Sequence, residues 1–399
     1  MGTGLLFDPQ GVTFDKVPES PSKDDALRAL GVLKDLIKTF PFVTDADRSV
    51  ALSAILTALH RRSLPTAPLH GFSAPGAGSG KSKLVDIASL IVDGRQAAVM
   101  SLGRSEEEAE KRLGAALLAG DAIVSIDNVD PERSFGGEMF CQALTQTMLK
   151  IRILGLSKIA EVPTNAAIFA NGNNLTMVGD MTRRAIMCNI DSGEERPELR
   201  KFDRDPLAMV HADRNKYVIA ALTVLKAFYV AGKPTQMTPG GEPITPLGSF
   251  EEWSNLIRGV LIWLGEADPC DTMEKIRKKD PKLGATIAVI SQWVEVIGPK
   301  QRVTTKDLID HATEKVNDGN YSPYPKQQEF AHPEFRDALL IVAGDGGAIN
   351  SLKLGKWLAA NQDRFVLGYK IVQEGERSGS KLWRLEAKEA KPAPGRTKF

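Results

Sequence analysis

Pro75-Gly76-Ala77-Gly78-Ser79-Gly80-Lys81-Ser82 stands between an apolar run, Leu69–Ala74, and a stretch, Ser82–Val92, whose Leu84, Ile87, Ala88 and Ile91 recur at helical spacing. Strand, glycine-rich turn and helix in that order are the context a phosphate-binding loop requires. The glycines let the backbone wrap so that successive N–H groups converge on anionic oxygens, at a helix N-terminus that already favours negative charge. Lys81 adds a mobile cation for the β- and γ-phosphates, and Ser82 offers its hydroxyl to magnesium. Pro75 occupies the position where the pattern has its first glycine, so the loop opens stiffly. The stretch therefore predicts ATP and magnesium as cofactors, with Pro75, Gly76, Ala77, Gly78, Ser79, Gly80, Lys81 and Ser82 as the cradle.

Outward from the loop, short apolar runs alternate with helical stretches, the pattern of βαβ units in a largely parallel sheet. Ala97–Ser101, Ala122–Ile126 and Ala166–Ala170 read as further strands, and Ser105 with Glu108 makes a capping pattern for a helix to Ala119. Asp127 follows the third of these strands, where sheet C-termini collect ligands, and is the acid expected beside Ser82 on the magnesium side. The next position, where a second carboxylate commonly serves as general base, is Asn128. Asn128 orienting the water, Asp130 and Glu138 are the alternatives for that work. Asn171-Gly172-Asn173-Asn174 closes the last strand. Asn173 reads as the amide that holds the attacking water or senses the γ-phosphate, while Asn-Gly is also a turn signal.

A hairpin is expected between these two strands. Leu149, Ile151 and Ile153 alternate with Lys150 and Arg152 ahead of a turn at Gly155–Ser157, giving one apolar and one cationic face. Lys158 sits beside the tip, placed to touch phosphates without reading sequence. Lys150, Arg152 and Lys158 are the candidate DNA contacts.

The rest of the chain frames this core. The first ~20 residues lack periodicity and read as an arm. Asp24–Lys38 and Asp45–Arg61 read as amphipathic helices. After Asp191 the chain turns helical again, at Tyr217–Val230, Phe250–Leu264 and Ile287–Ile297. Gly319–Pro325 reads as a linker. Phe335–Ala343, Leu352–Ala360 and a hairpin over Tyr369–Leu385 predict a winged-helix-like module, followed by a basic, disordered tail at Lys388–Phe399. The divisions are 1–65, 66–195, 196–318, 330–387 and 388–399. Eleven Lys and Arg against five Asp and Glu over Ser351–Phe399 make DNA contact there an open alternative to core packing.

Bulk composition excludes several classes. Over 399 residues, 42% apolar and 25% charged side chains are those of a globular chain of more than one domain. A formal net charge of +1 means that nucleic-acid binding must come from local patches. Cys141, Cys188 and Cys270 form no CxxC pair, against a zinc site or disulfide framework. The longest apolar run, Val218 to Gly232, is broken by Lys226 and falls short of the ~20 residues that span a bilayer. Without a secretory signal, a cytoplasmic chain with no membrane role is expected.

From Leu69 to about Ile190 the chain resembles the superfamily 3 branch of the AAA+ ATPases, and particularly the helicase halves of phage and plasmid primase-helicase proteins. The more specific part is Gln142-Ala143-Leu144-Thr145, Lys150-Ile151-Arg152, Ser157-Lys158 and Val162-Pro163, leading into Ala167-Ile168-Phe169-Ala170-Asn171-Gly172-Asn173. The resemblance implies an α/β P-loop AAA+ core with a parallel sheet, an N-terminal helical collar between subunits, and a hexameric ring whose pore hairpin grips one DNA strand. It also implies that Asp180-Met181-Thr182-Arg183-Arg184 carries an arginine finger acting on the neighbouring subunit. Adjacent residues entering the alternating run Ala185–Ile190 point to opposite faces, so only one of Arg183 and Arg184 reaches the neighbour, and Arg184 is the expected finger. The implied activity is ATP-driven unwinding of single-stranded or forked DNA for a phage or mobile element in a bacterial cytoplasm, with a primase domain or partner. An initiator or helicase loader is the alternative. A protein-remodelling AAA+ motor is another, although Gly155–Lys158 lacks the aromatic-apolar pair such a motor would place in its pore.

Overall fold

A computed structural model describes residues 12–103, 105–130, 134–153, 155, 158–200, 202–316 and 329–388. The expected linker at Gly319–Pro325, nearly all of the tail from Lys388 and part of the Gly155–Ser157 turn lie outside these residues. The chain divides into two compact units, Met1–Asp280 and Pro281–Phe399. The boundary falls within the helical stretch expected as one region over 196–318.

In the first unit, helices α1 (Lys23–Ile37) and α2 (Asp45–His60) precede strand β1 (Leu69–Ala74), then come α3 (Lys81–Asp93), β2 (Val99–Met100), α4 (Glu106–Ala119) and β3 (Ile123–Val129). Helix α5 (Glu138–Thr145) leads into strands β4 (Met148–Ile153) and β5 (Lys158–Pro163), and β6 (Ala167–Asn173), β7 (Ala185–Asn189), α6 (Pro206–Ala212) and α7 (Arg214–Val230) follow. Five strands form one sheet in the order β2-β3-β6-β1-β7, each neighbouring pair parallel. Every residue of β1 is buried, as a strand covered on both faces must be. Because β6 lies between β1 and β3, the C-terminal tips of the strands bearing the phosphate loop, Asn173 and Asp127 stand side by side.

Helix α2 departs from expectation. It is not amphipathic: every residue from Ser49 to Ala58 is buried. Small residues (Ser49, Ala51, Ser53, Ala54, Thr57, Ala58) cover the faces that large apolar residues leave, and the hydroxyls of Ser53 and Thr57 find partners inside. Ser53 Oγ donates to the Val50 carbonyl at 2.8 Å, and Trp253 Nε1 donates to Thr57 Oγ1 at 2.8 Å. Helix α2 packs on α3 and β7, and α1 packs along α7, so both helices belong to the core of this unit and no separate layer ends at residue 65. Asp47, fully buried, accepts from Thr44 Oγ1 at 2.6 Å and from Asn189 N and Nδ2 at 2.7 and 2.9 Å, which ties α2 to the end of β7. Arg61, 2% exposed, donates to the carbonyls of Ala166 at 3.0 Å, Leu64 at 2.6 Å and Thr164, and burial pulls its pKa down to about 10. It thereby joins the end of α2 to the root of the β4–β5 hairpin.

The second unit has its own core, in which Trp293, Leu308, Phe335, Leu354, Leu358 and Trp383 are buried. Helices Pro281–Val296, Thr305–Ala312, Pro333–Ala343 and Ser351–Ala360 precede a hairpin of Tyr369–Arg377 and Ser380–Ala387. Val303 exchanges backbone hydrogen bonds with Trp383 at 2.9 and 2.8 Å, so the module extends back well beyond residue 330. Three of these four helices match the expected Ile287–Ile297, Phe335–Ala343 and Leu352–Ala360, and Thr305–Ala312 is the addition. Several of its cations are paired: Lys370 with Glu386 at 2.8 Å, Arg377 with Asp307 at 2.5 Å, and Arg384 with Glu374 and Glu386. Among the described residues, no helix is long and apolar enough to cross a membrane.

His70 on β1 is fully buried, with Nε2 3.0 Å from Ser53 Oγ and its ring edge-on to Phe169 and Trp253. Burial pushes its pKa down from 6.5 to about 3. As pH falls, the unfolded chain takes up this proton first, so stability is full above 6.5 and is lost progressively between 6.5 and about 3. At its steepest the loss is about 1.4 kcal/mol per pH unit. Denaturant titrations at pH 7, 6 and 5 should show a shallower decline for His70→Gln than for the wild type, whatever its absolute stability. Equal slopes would show that His70 does not set the dependence.

Candidate nucleotide site

The loop between β1 and α3 adopts the wrapped form that its glycines allow. Gly78 and Gly80 have φ of 73° and 98°, left-handed values that side chains resist. Gly78 is further confined from outside: a Cβ there would lie 2.7 Å from Glu198 Cβ and 3.0 Å from its Cα and N. Gly76 is not left-handed, and a Cβ there would meet nothing within 4 Å.

Lys81, the first residue of α3, is 8% exposed. Its ammonium donates to the Gly76 carbonyl at 2.8 Å, to Ser79 Oγ at 3.0 Å and to Asn173 Oδ1 at 2.8 Å. Two effects oppose each other on its pKa. Burial lowers it, the negative charge of Asp127 raises it, and burial prevails. The same carboxylate charge, with burial as the larger cause, pushes the pKa of Asp86 on α3 up.

Asn173 and Asn171 stand two apart on β6 and so share a face. Asn173 reaches Lys81, while Asn171, 2% exposed, directs Nδ2 to Ser82 Oγ at 3.5 Å and accepts from the Asn128 N–H at 3.2 Å. Asn171 joins the expected Asn173 in the site, and the strand alternation that places both amides on one side is itself a sequence signal.

The Asn171-Gly172 pair is no turn; both residues lie within β6. What irregularity exists is in β3, whose register with β6 shifts between Ile126 and Val129, so that Asp127 and Asn128 together face Asn171. Such a bulge re-aims a side chain and needs one residue out of the extended region. Asn128 supplies it, at φ 53°, with its N–H 2.7 Å from Asp127 Oδ1. Asparagine tolerates this conformation better than glutamate does, a backbone reason against glutamate at this position. Gly172 accommodates the bulge, since a Cβ there would lie 2.7 Å from the Val129 carbonyl oxygen. Glu138, one alternative base, opens α5 and accepts from Gln142 Nε2 at 3.0 Å.

Magnesium favours oxygen donors, with one or two carboxylates, waters and substrate phosphates completing its shell. Ser82 Oγ and the Asp127 carboxylate, linked through Asn171 and Asn128, fit that donor set.

The hairpin forms as expected, in antiparallel register with Lys150 opposite Glu161 and Arg152 opposite Ile159. Leu149, Ile151 and Val162 are buried while Lys150, Arg152 and Lys158 are exposed. Ile151 packs where Gly114 on α4 leaves room, since a Cβ there would lie 2.8 Å from its Cγ2. The outer face is less cationic than the β4 sequence alone implied. Glu161 lies 3.6 Å from Lys150, and Ile159 is 69% exposed.

Arg183 and Arg184 both fork onto Asp180. Arg184, expected to face outward, is the inward one: its side chain is 12% exposed, and its carbonyl already accepts from Leu69 of β1 at 2.9 Å. Arg183 ends a 3-10 turn, Gly179–Arg183, and its side chain is 61% exposed.

Fold and loop define a P-loop α/β core. No family model matches the chain, and no curated protein does. Among solved structures, the C-terminal region of NrS-1 in an apo form is 11% identical, with a TM-score of 0.41, over 95% of this chain and 79% of that one. A JCV helicase bound to a small molecule is 11% identical, with a TM-score of 0.28, over 61% of this chain and 67% of that one. Likenesses this distant leave function to the geometry of the site.

The first two glycine positions of the loop test that geometry. Gly78→Ala combines a left-handed backbone, costing roughly 1–2 kcal/mol, with the Glu198 clash, and should lower the melting temperature. Gly76→Ala should leave melting nearly unchanged and weaken nucleotide binding, because its methyl group enters only the phosphate space. Equal melting of the two variants would contradict the loop conformation.

Proposed function

We propose that the chain is an ATP-driven, ring-forming DNA helicase of a phage or mobile element, acting on single-stranded or forked DNA in a bacterial cytoplasm. The observation that carries this reading is the meeting of Lys81 with Asn173 beside Asp127, with a cation-bearing hairpin in the connection between the two strands that hold Asp127 and Asn173. In this reading the loop N–H groups and Lys81 hold the β- and γ-phosphates, and Ser82 and Asp127 hold magnesium. The metal, when bound, neutralises phosphate charge. Asn173 and Asn128 orient the attacking water. Arg183, the exposed member of the pair, reaches the neighbouring subunit's γ-phosphate, while Arg184 holds Asp180 in place. Lys150, Arg152 and Lys158 grip the DNA backbone.

Two experiments test separate parts. Lys158→Glu should lower DNA-stimulated ATP hydrolysis and unwinding, the deficit appearing only when DNA is added. Loss of one phosphate contact should also reduce the salt slope of single-strand binding by about 0.7. Full stimulation and unwinding by this variant would remove the hairpin from DNA contact. Stimulation without unwinding by the wild type would favour the initiator or loader reading.

Arg183→Ala and Lys81→Ala proteins should each hydrolyse ATP poorly alone, since a finger of this kind contributes ~10³-fold or more. Mixed rings contain interfaces where an intact Lys81 meets an intact Arg183, so mixing should restore part of the activity. No recovery in rings shown to be mixed would place Arg183 outside the neighbour's site.

A further inference from the structure

Between β7 and α6 the chain crosses the outer side of the phosphate loop. It is anchored at both ends. Asp191 N donates to the Pro41 carbonyl at 2.9 Å, and Arg204 grips the Asp35 carboxylate with both terminal nitrogens at 3.0 and 2.6 Å. Between the anchors, the Glu198 backbone lies against Gly78, and Phe202 presents a ring that is 49% exposed. The Arg200 guanidinium stands 5.0 Å and the Lys83 ammonium 5.9 Å from that ring's centroid. Facing them are Phe40 and Pro41, with Phe40 Cε1 only 3.1 Å from where a Cβ on Gly80 would be. These two walls and Gly78-Ser79-Gly80 enclose a cavity of about 50 Å³.

The walls differ in stiffness. The Phe40 side is fixed to the sheet, because Val43 N donates to the Asn189 carbonyl at 3.1 Å and Asp47 holds the same asparagine. Between its anchors at Asp191 and Arg204, the Phe202 side is held by the buried Pro197 and by ion pairs within its own segment, Arg196 with Glu198 at 3.0 Å and Arg200 with Glu194 at 3.8 Å. Exposed pairs of this kind contribute little. One wall is therefore an anvil and the other can move.

We propose that residues 194–200, together with Phe202, form a strap that closes the Phe202 ring onto the base of a bound nucleoside triphosphate, against the fixed Phe40–Pro41 wall, while Lys83 and Arg200 face its α-phosphate. The proposal rests on the reading of the loop as a triphosphate site. Lys81 sets the β- and γ-phosphate end of the ligand. Lys83 lies two residues further along the first turn of α3, so the nucleoside end emerges beside the cavity. At about 50 Å³ the cavity holds one or two waters, each taking ~30 Å³. A base enters only if the Phe202 ring swings out and closes again over it. Every base has a π-face, so recognition by stacking accepts ATP and GTP alike.

Calorimetric titration with Mg-ATP, Mg-GTP and inorganic tripolyphosphate separates this idea from the one beneath it. Phe202→Ala, a change at a half-exposed ring, should weaken both nucleotides about tenfold or more and leave tripolyphosphate unchanged. Phe202→Trp should restore nucleotide affinity, with indole fluorescence changing on ATP but not on tripolyphosphate. Wild-type ATP affinity in Phe202→Ala would overturn the strap while leaving the loop reading intact. Equal loss for all three ligands would also overturn it, marking Phe202 as a support for the loop. A wild-type protein that binds neither ATP nor tripolyphosphate would overturn both.

Discussion

A lysine ammonium taken out of water must find three acceptors, and Lys81 finds them in the Gly76 carbonyl, Ser79 Oγ and Asn173 Oδ1. The third comes from a different strand. That contact joins the phosphate loop to β6, and it exists because the chain inserts β6 between β1 and β3. Around it the polar residues fall into a relay: Asn173 on Lys81, Asn171 on Ser82 and on the Asn128 N–H, and that same N–H on Asp127. Each link is a backbone or amide hydrogen bond, part-buried except for the exposed one on Asp127, so the relay is held by the protein's own groups. Such prearrangement is what an electrostatic site needs, since dipoles already aimed at developing charge need not reorganise.

The scaffold behind this relay is polar in places where an apolar core would do. Asp47 holds the end of β7, Arg61 holds the root of the hairpin, and Arg214 donates to the carbonyls of Ile91 and Val92 near the end of α3 at 3.0 and 2.6 Å. A cation at that end of α3 complements the helix dipole whose other end faces the phosphate site. These side chains fix directions as much as they add stability, because a buried charge gains little net energy from its partners.

Much of the site was legible in the sequence because its signals are local. The loop needs glycines at fixed offsets, Asp127 and Asn173 end apolar runs, and the hairpin alternates with period two. The departures arise where a distant segment decides. Helix α2 looks amphipathic by its large apolar residues, and only the packing of α3 and β7 against its small ones reveals a buried rod. Asn128 looked like a missing carboxylate until the bulge opposite Asn171 demanded a left-handed residue. Arg184 turned inward because it already pairs with Leu69. Phe202 carries no motif at all, and its place beside Gly80 depends on a crossing that no periodicity encodes.

The contact between Lys81 and Asn173 has a direct test in how the protein distinguishes a triphosphate from a diphosphate. Affinities for ATPγS and ADP, each with magnesium, should be measured for the wild type and for Asn173→Ala. If both residues meet the γ-phosphate, the wild type prefers ATPγS, and losing one charge-assisted hydrogen bond, roughly 1.5–3 kcal/mol, cuts that preference by about tenfold or more while ADP binding stays the same. An undiminished preference in Asn173→Ala, or a wild type that binds the two nucleotides equally, would contradict the assignment of this contact to the γ-phosphate.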